Sequence, residues 1–99
     1  MTGNEKKRYE AGAQIVKGLA HPSRLLLVDE LLRWGERCVY DLTAAVGSDM
    51  STVSRHLLLL LKNTGIVKDE KRGRTVYYQL CSKQIKGILK FTECCLRHD

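Results

Sequence analysis

Apolar residues recur along this chain at two spacings, and the change between them divides it into helices and a hairpin. Tyr9, Ala13, Val16 and Leu19 fall at helical intervals and predict a first helix over about 5–19. It closes before His21-Pro22, because the residue preceding a proline is pushed out of the helical region. Pro22 suits the first position of a second helix, where its missing N–H costs nothing. Leu27, Val28, Leu31, Leu32 and Trp34 form one broad apolar face of that helix, and Asp29, Glu30 and Arg33 lie opposite. Gly35 ends it. A short third helix is expected at about 39–46, stopped by Gly47. Ser48 or Asp49 caps a fourth. On it Met50, Val53, Leu57, Leu60 and Leu61 share one face. Ser51, Thr52, Arg55 and Lys62 share the other, with Leu58 and Leu59 further along, and Gly65 ends the run.

The period then shifts to two. Residues 66–69 and 75–80 read as strands, and Lys71-Arg72-Gly73-Arg74 between them as a basic hairpin tip. Val76, Tyr78 and Leu80 point to one side. Ser82 caps a last helix with an apolar stripe of Ile85, Ile88, Leu89, Thr92 and Leu96. The expected fold is mainly α with a small β-hairpin (α+β): five helices and a two-stranded wing. Two short helices joined by a tight glycine-containing turn make a helix-turn-helix, here at about 39–63, with the wing at about 66–80. A chain of 99 residues is expected to form one domain, 1–99.

Charge adds direction to this pattern. The net charge is +6, and residues 1–50 carry seven Lys/Arg against seven Asp/Glu. Residues 51–99 carry ten against four, so the whole excess lies in the half that holds the fourth helix and the hairpin. A polyanion partner fits that half. The longest apolar run, Leu57 to Leu61, is far below the ~18 residues of a membrane span. Thr2 to Glu10 is polar, with no apolar segment behind it. The expected location is cytoplasmic, with no membrane partner and with Cys38, Cys81, Cys94 and Cys95 as reduced thiols.

A helix-turn-helix followed by a basic hairpin is a winged helix, and its chemistry suits double-stranded DNA. An α-helix fits the ~12 Å major groove, and arginines reach the flanking backbone or minor groove. Ser51, Thr52, Ser54 and Arg55 occupy the first turns of the fourth helix, the part that approaches base edges. Arg55 suits a guanine, while the hydroxyls position on phosphates. Lys62, Arg72 and Arg74 read as phosphate or groove contacts. His56 either touches a phosphate or is a structural histidine where helix meets hairpin. His21 belongs to the start of the second helix rather than to a metal site.

Four stretches of the chain resemble the ArsR/SmtB-type metal- and thiol-responsive repressors. They are Gly18-Leu-Ala-His-Pro-Ser-Arg-Leu25, Glu36-Arg-Cys-Val-Tyr-Asp-Leu42, Ser51-Thr-Val-Ser-Arg-His-Leu57 and Gly73-Arg-Thr-Val-Tyr-Tyr-Gln-Leu80. Together they run in family order from about residue 15 to residue 80. The resemblance implies a homodimer formed by the first and last helices, about 5–19 and 82–97, on an inverted-repeat operator. It also implies that an effector lowers DNA affinity. One departure stands at Leu58, where similar proteins often carry Lys or Arg. Leu58 and Leu59 there form either an exposed apolar patch or a contact with thymine methyl groups.

The resemblance points to cysteines as the sensor. Metal-sensing relatives often carry Cys-Val-Cys-Asp-Leu at the start of the third helix, and this chain has Cys38-Val-Tyr-Asp-Leu42. A site of two or three cysteines confined to that helix is therefore excluded. Other relatives bind zinc through Asp and His along the last helix, but residues 85–96 hold no His. Cys94 and Cys95 remain, followed by His98 and Asp99. Some arsenic-responsive relatives carry a C-terminal Cys-Cys pair, usually with a further cysteine beyond it, which this chain lacks. In thiol-redox relatives a cysteine near the start of the third helix pairs with one in the last. Two effector schemes follow: As(III) or another soft metal ion on Cys38, Cys94 and Cys95, or oxidation joining Cys38 to Cys94 or Cys95. No constitutive cofactor is expected. The alternative is that Cys38 and Cys81 are small buried hydrophobes and that Cys94 and Cys95 are incidental, and Cys81 is assigned the buried role.

Two other classes compete. A protein-interaction module with the same fold but no DNA binding would show a flat salt response, where DNA binding is steep. An enzyme is disfavoured: Ser54 and His56 face different directions on one helix, and no acid pair, phosphate loop or HExxH sequence is present.

Overall fold

Side-chain caps set where the helices begin. In the computed structural model, which describes residues 1–97, Thr2 Oγ1 accepts from the Glu5 N–H at 3.2 Å. Helix α1 accordingly runs Gly3–Leu19, starting two residues ahead of the apolar pattern. His21 Nδ1 accepts from the Ser23 N–H at 3.1 Å and starts α2, Pro22–Trp34, with Pro22 in its first turn. Helix α3 is Val39–Val46 and stops at Gly47, whose φ of 73° is left-handed. Of the two caps expected for α4, Asp49 serves: its Oδ2 accepts from the Thr52 N–H at 3.0 Å and its Oδ1 from the Thr52 hydroxyl at 2.6 Å. Helix α4, Met50–Leu59, widens into a π turn over Leu60–Thr64 before Gly65.

The expected winged helix-turn-helix is present, with one strand more than the pattern indicated. Strand β1 is Arg37–Cys38, β2 is Val67–Arg72 and β3 is Thr75–Leu80, in the antiparallel order β1-β3-β2. Arg37 lies opposite Tyr78, and Cys38 opposite Tyr77. Two residues are too short to display a period of two, so β1 exists through its partner rather than its own pattern. Strand β2 also runs further than expected. Arg72 pairs with Thr75, so Lys71 and Arg72 are strand residues and the tip is Gly73-Arg74. Ser82 caps a single 3-10 turn, Lys83–Ile85, ahead of α5, Lys86–Leu96.

The core lies beneath α4. Leu27, Val28 and Leu31 of α2, Leu42 of α3, and Val53, Leu57 and Leu60 are almost wholly buried. Val39, Val67, Tyr78, Ile85 and Leu19 close its edges. Two assignments change here. Trp34, expected on the apolar face of α2, is 67% exposed. It is the last residue of the helix and forms one wall of an open groove with Gln79, Leu80 and Lys83. Cys81, assigned as a buried hydrophobe, is exposed. Its backbone N–H bonds the Ile66 carbonyl at 2.7 Å, continuing the hairpin pairing while its thiol faces solvent.

The outer helices contribute little to this core. Only Gly18 and Leu19 of α1 are buried, and no residue of α5 is. Helix α1 reaches the body through a close approach at Gly18, where a Cβ would overlap the Thr64 methyl. Thr64 is not free to turn away, since its hydroxyl bonds the Leu60 carbonyl and accepts from the Ile66 N–H. Gly18→Ala should therefore cost stability despite its better helix propensity, by ~1–3 kcal/mol as overpacking. Urea denaturation checks this; an unchanged or higher midpoint would contradict the close approach.

Candidate nucleic-acid interface

Burying one row of α4 determines what the opposite row presents. With Val53, Leu57 and Leu60 inward, Ser51, Arg55, Leu58 and Lys62 line the outward side at helical spacing, and all four are exposed. Ser54 and Thr52 flank this stripe and are half-buried. Thr52 is already engaged, as both its hydroxyl and its N–H bind Asp49. Those two bonds hold the Asp49 carboxyl below the usual carboxylate range. Leu58 stands 48% exposed between Arg55 and Lys62, an apolar side chain within a polar and basic row.

His56 does not share that row. Its ring lies 4.4 Å from the ring of His21, tilted by 41°, and its Nδ1 is 3.4 Å from Arg24 Nη1. Partial burial, then the neighbouring His21, Arg24 and Arg55, push its pKa below the ordinary value. The contact ties α4 to the start of α2. Both histidines thus serve that junction, as the sequence suggested for His21.

The two arginines of the wing differ. Arg74 at the tip is exposed and makes no ion pair among the described residues. Arg72 lies across the sheet. Its Nη1 and Nη2 donate to the Glu36 carboxylate at 2.7 and 2.8 Å, and its Nε donates to Glu70 Oε1 at 3.1 Å. Its guanidinium also lies 4.7 Å from the centre of the Tyr77 ring. The Glu70 and Glu36 bonds raise its already high pKa further, and Arg72 in turn lowers that of Glu70. Arg72 is a strut between the α2–β1 connection and the wing. Its pairing with Glu36 spans 36 positions of sequence, and no local signal marks it.

The cysteines do not converge within one chain. Cys38 is half-buried at the start of α3, and its thiol donates to Asp41 Oδ2 at 3.2 Å. Cys94 and Cys95 are exposed on the last turns of α5. Among the described residues, no group of three or more Cys, His, Asp or Glu is gathered as a metal would require. His98 and Asp99 lie outside the described residues. Nearby, Val16 and Leu19 of α1, Leu25 of α2, and Ile88 and Phe91 of α5 line an apolar groove of about 330 Å³. Val16 and Phe91 are more than half exposed.

Comparison with known proteins agrees with this geometry. Residues 21–69 match the family described as bacterial regulatory protein, arsR family. The arsenical resistance operon repressor of Bacillus subtilis is 34% identical over 90 residues, covering 91% of this chain and 82% of that protein. An HTH-type transcriptional regulator of Methanocaldococcus jannaschii is 32% identical over 87 residues, covering 88% and 97%. The homodimeric winged helix-turn-helix DNA-binding domain Mb0332 of Mycobacterium bovis superposes with a TM-score of 0.80 at 25% identity, covering 97% and 87%. No helix among the described residues is long and apolar enough to cross a membrane.

The His21–His56–Arg24 junction gives a pH dependence of known sign. A histidine whose folded pKa lies below the ordinary value of 6.5 takes up its proton first in the unfolded chain. Its contribution is complete above that value and is lost as pH falls through the folded pKa. Urea midpoints should drop from pH 7.5 to pH 5.5, and His56→Gln should make the drop smaller. A His56→Gln curve parallel to wild type would contradict this origin.

Proposed function

Because the chain belongs to the arsR family of bacterial regulatory proteins, which are DNA-binding transcription regulators and not enzymes, we propose that it is an effector-released repressor acting as a homodimer. The observation that carries the DNA reading is the outward row of α4: Ser51, Arg55, Leu58 and Lys62, backed by a fully buried row. In a major groove, Arg55 would grip guanine O6 and N7, and Ser51 and Ser54 would meet the backbone. Leu58 fits the thymine methyl, the one apolar feature of that groove. Lys62 and Arg74 suit phosphates on either side. Thr52 acts through the Asp49 cap, His56 through the α2 junction, and Arg72 by holding the wing at its angle.

What a single chain leaves uncovered supports dimerisation. The groove between α1 and α5 is apolar and open, and a second copy placed there would bury Val16, Ile88 and Phe91. The Mycobacterium bovis domain, similar over nearly the whole chain, is homodimeric. Two recognition helices related by a two-fold would address half-sites ~34–36 Å apart, hence an inverted repeat. The setting is the cytoplasm.

For the effector we place As(III) or another soft ion on Cys94 and Cys95, exposed and adjacent at the end of α5, with Cys38 as third thiolate. Since one chain does not gather the three, Cys38 has to reach the pair across the dimer or through movement of the last turn. The same separation leaves a second scheme, oxidation of Cys38 with Cys94 or Cys95. An effector that favours one dimer arrangement lowers DNA affinity by the factor of its own preference, typically ~1–3 kcal/mol or ~5–150-fold.

Fluorescence anisotropy of the reduced protein on its own promoter DNA tests this. Arsenite should release the duplex, and Cys94→Ser/Cys95→Ser should bind DNA normally but no longer respond. Release by mild oxidation alone, with a Cys38 linkage seen by mass spectrometry, would replace the metalloid with the redox scheme. A double variant that still responds to arsenite would overturn the assignment of the pair.

A further inference from the structure

Beside α4, on the flank towards α1 and α2, lies a pocket of about 180 Å³ lined by Gln14, Lys17, Gly18, Arg24, Leu59 and Asn63. Two of these side chains are cationic, two are carboxamides able to donate N–H bonds, and none is acidic. Neither Lys17 nor Arg24 forms an ion pair with a described carboxylate. Arg24 Nε is buried and has no hydrogen-bond partner among the described residues. An enclosed guanidinium donor without an acceptor is costly, and such groups mark a place where an acceptor belongs.

The position of the pocket matters as much as its chemistry. Leu59 and Asn63 each stand one position along from Leu58 and Lys62, so the pocket borders the outward row of α4. Gly18, where α1 meets Thr64 without a Cβ, brings Lys17 and Gln14 against that flank. Positive charge therefore continues from Arg55 and Lys62 around the side of the helix to Lys17 and Arg24. The strands of a major groove put phosphates on both flanks of an inserted helix.

We propose that this pocket seats one phosphate of the operator backbone, with Lys17 and Arg24 supplying charge and Gln14 and Asn63 supplying N–H donors. The contact rests on the DNA-binding reading above and adds a sequence-independent anchor on the α1 side of the recognition helix. Burial and the cations around His56 hold its pKa down, and an anion beside Arg24 would ease that repulsion. Free inorganic phosphate offers the same chemistry as a backbone phosphate, so the two sources have to be separated by experiment.

Lys17→Gln is the informative variant, because Lys17 is exposed and the change should leave the thermal midpoint unaltered. DNA affinity is measured against salt on the promoter duplex and on a scrambled duplex. The variant should weaken both by a similar factor and make the slope of log affinity on log salt shallower by ~0.9, the loss of one neutralised phosphate. A methylphosphonate placed at one backbone position should weaken wild type more than it weakens the variant, which keeps Arg24 on that phosphate. Unchanged slope, with every methylphosphonate weakening both proteins equally, would overturn the contact. So would unchanged DNA binding together with His56 ring shifts caused by inorganic phosphate, which would assign the pocket to a free anion. A wild-type chain that binds no duplex at all contradicts the proposed function itself, a result distinct from both.

Discussion

Burial of Val53, Leu57 and Leu60 is the constraint on which the remaining features depend. Each is fully buried, and α4 packs against α2 and α3, so the rotation of α4 about its axis is fixed. Burying a side chain of this kind is worth ~1.5–3 kcal/mol, and a twist of the helix would surrender several at once. The outward position of Ser51, Arg55, Leu58 and Lys62 is therefore a consequence of the core. The Asp49 cap fixes where the helix begins, the His21–His56 contact fixes its far flank against α2, and the Arg72–Glu36 strut fixes the wing beside it.

Much of this was legible in the sequence because local rules carry it. Pro22, Gly35 and Gly47 punctuate α2 and α3 where their backbone preferences require, and the spacing of apolar residues in α4 identifies its buried row. The hidden features depend on partners distant in sequence. Strand β1 is two residues that become a strand only against Tyr77 and Tyr78. Arg72 reads as a free cation until Glu36 comes beside it, and Trp34 and Cys81 read as buried until the neighbouring surfaces prove to end short of them. For Cys38, Cys94 and Cys95, the proposed effector ligands, the sequence supplies the thiols but not their separation, which is a property of the assembled fold.

In the proposed function, the outer helices link the reading head to its control. Helix α5 buries none of its own residues in this chain, yet it carries both the apolar wall formed by Ile88 and Phe91 and the Cys94–Cys95 pair. In the proposed dimer, α5 would be held mainly by the partner copy and free to take more than one position, and a ligand on its last turns would act at the seam that spaces the two recognition helices. In the proposed mechanism, that shared location makes DNA affinity and effector binding two readouts of one equilibrium.

In the proposed complex two copies of this chain, joined through α1 and α5, present two α4 helices to one duplex. Sedimentation equilibrium of the reduced protein, alone and with a single labelled promoter duplex, tests it most directly. A dimer in solution and two chains on each duplex are expected, with Phe91→Glu yielding monomers that lose tight binding. A monomeric chain, or a dimer that leaves the duplex unbound at low salt, would contradict it.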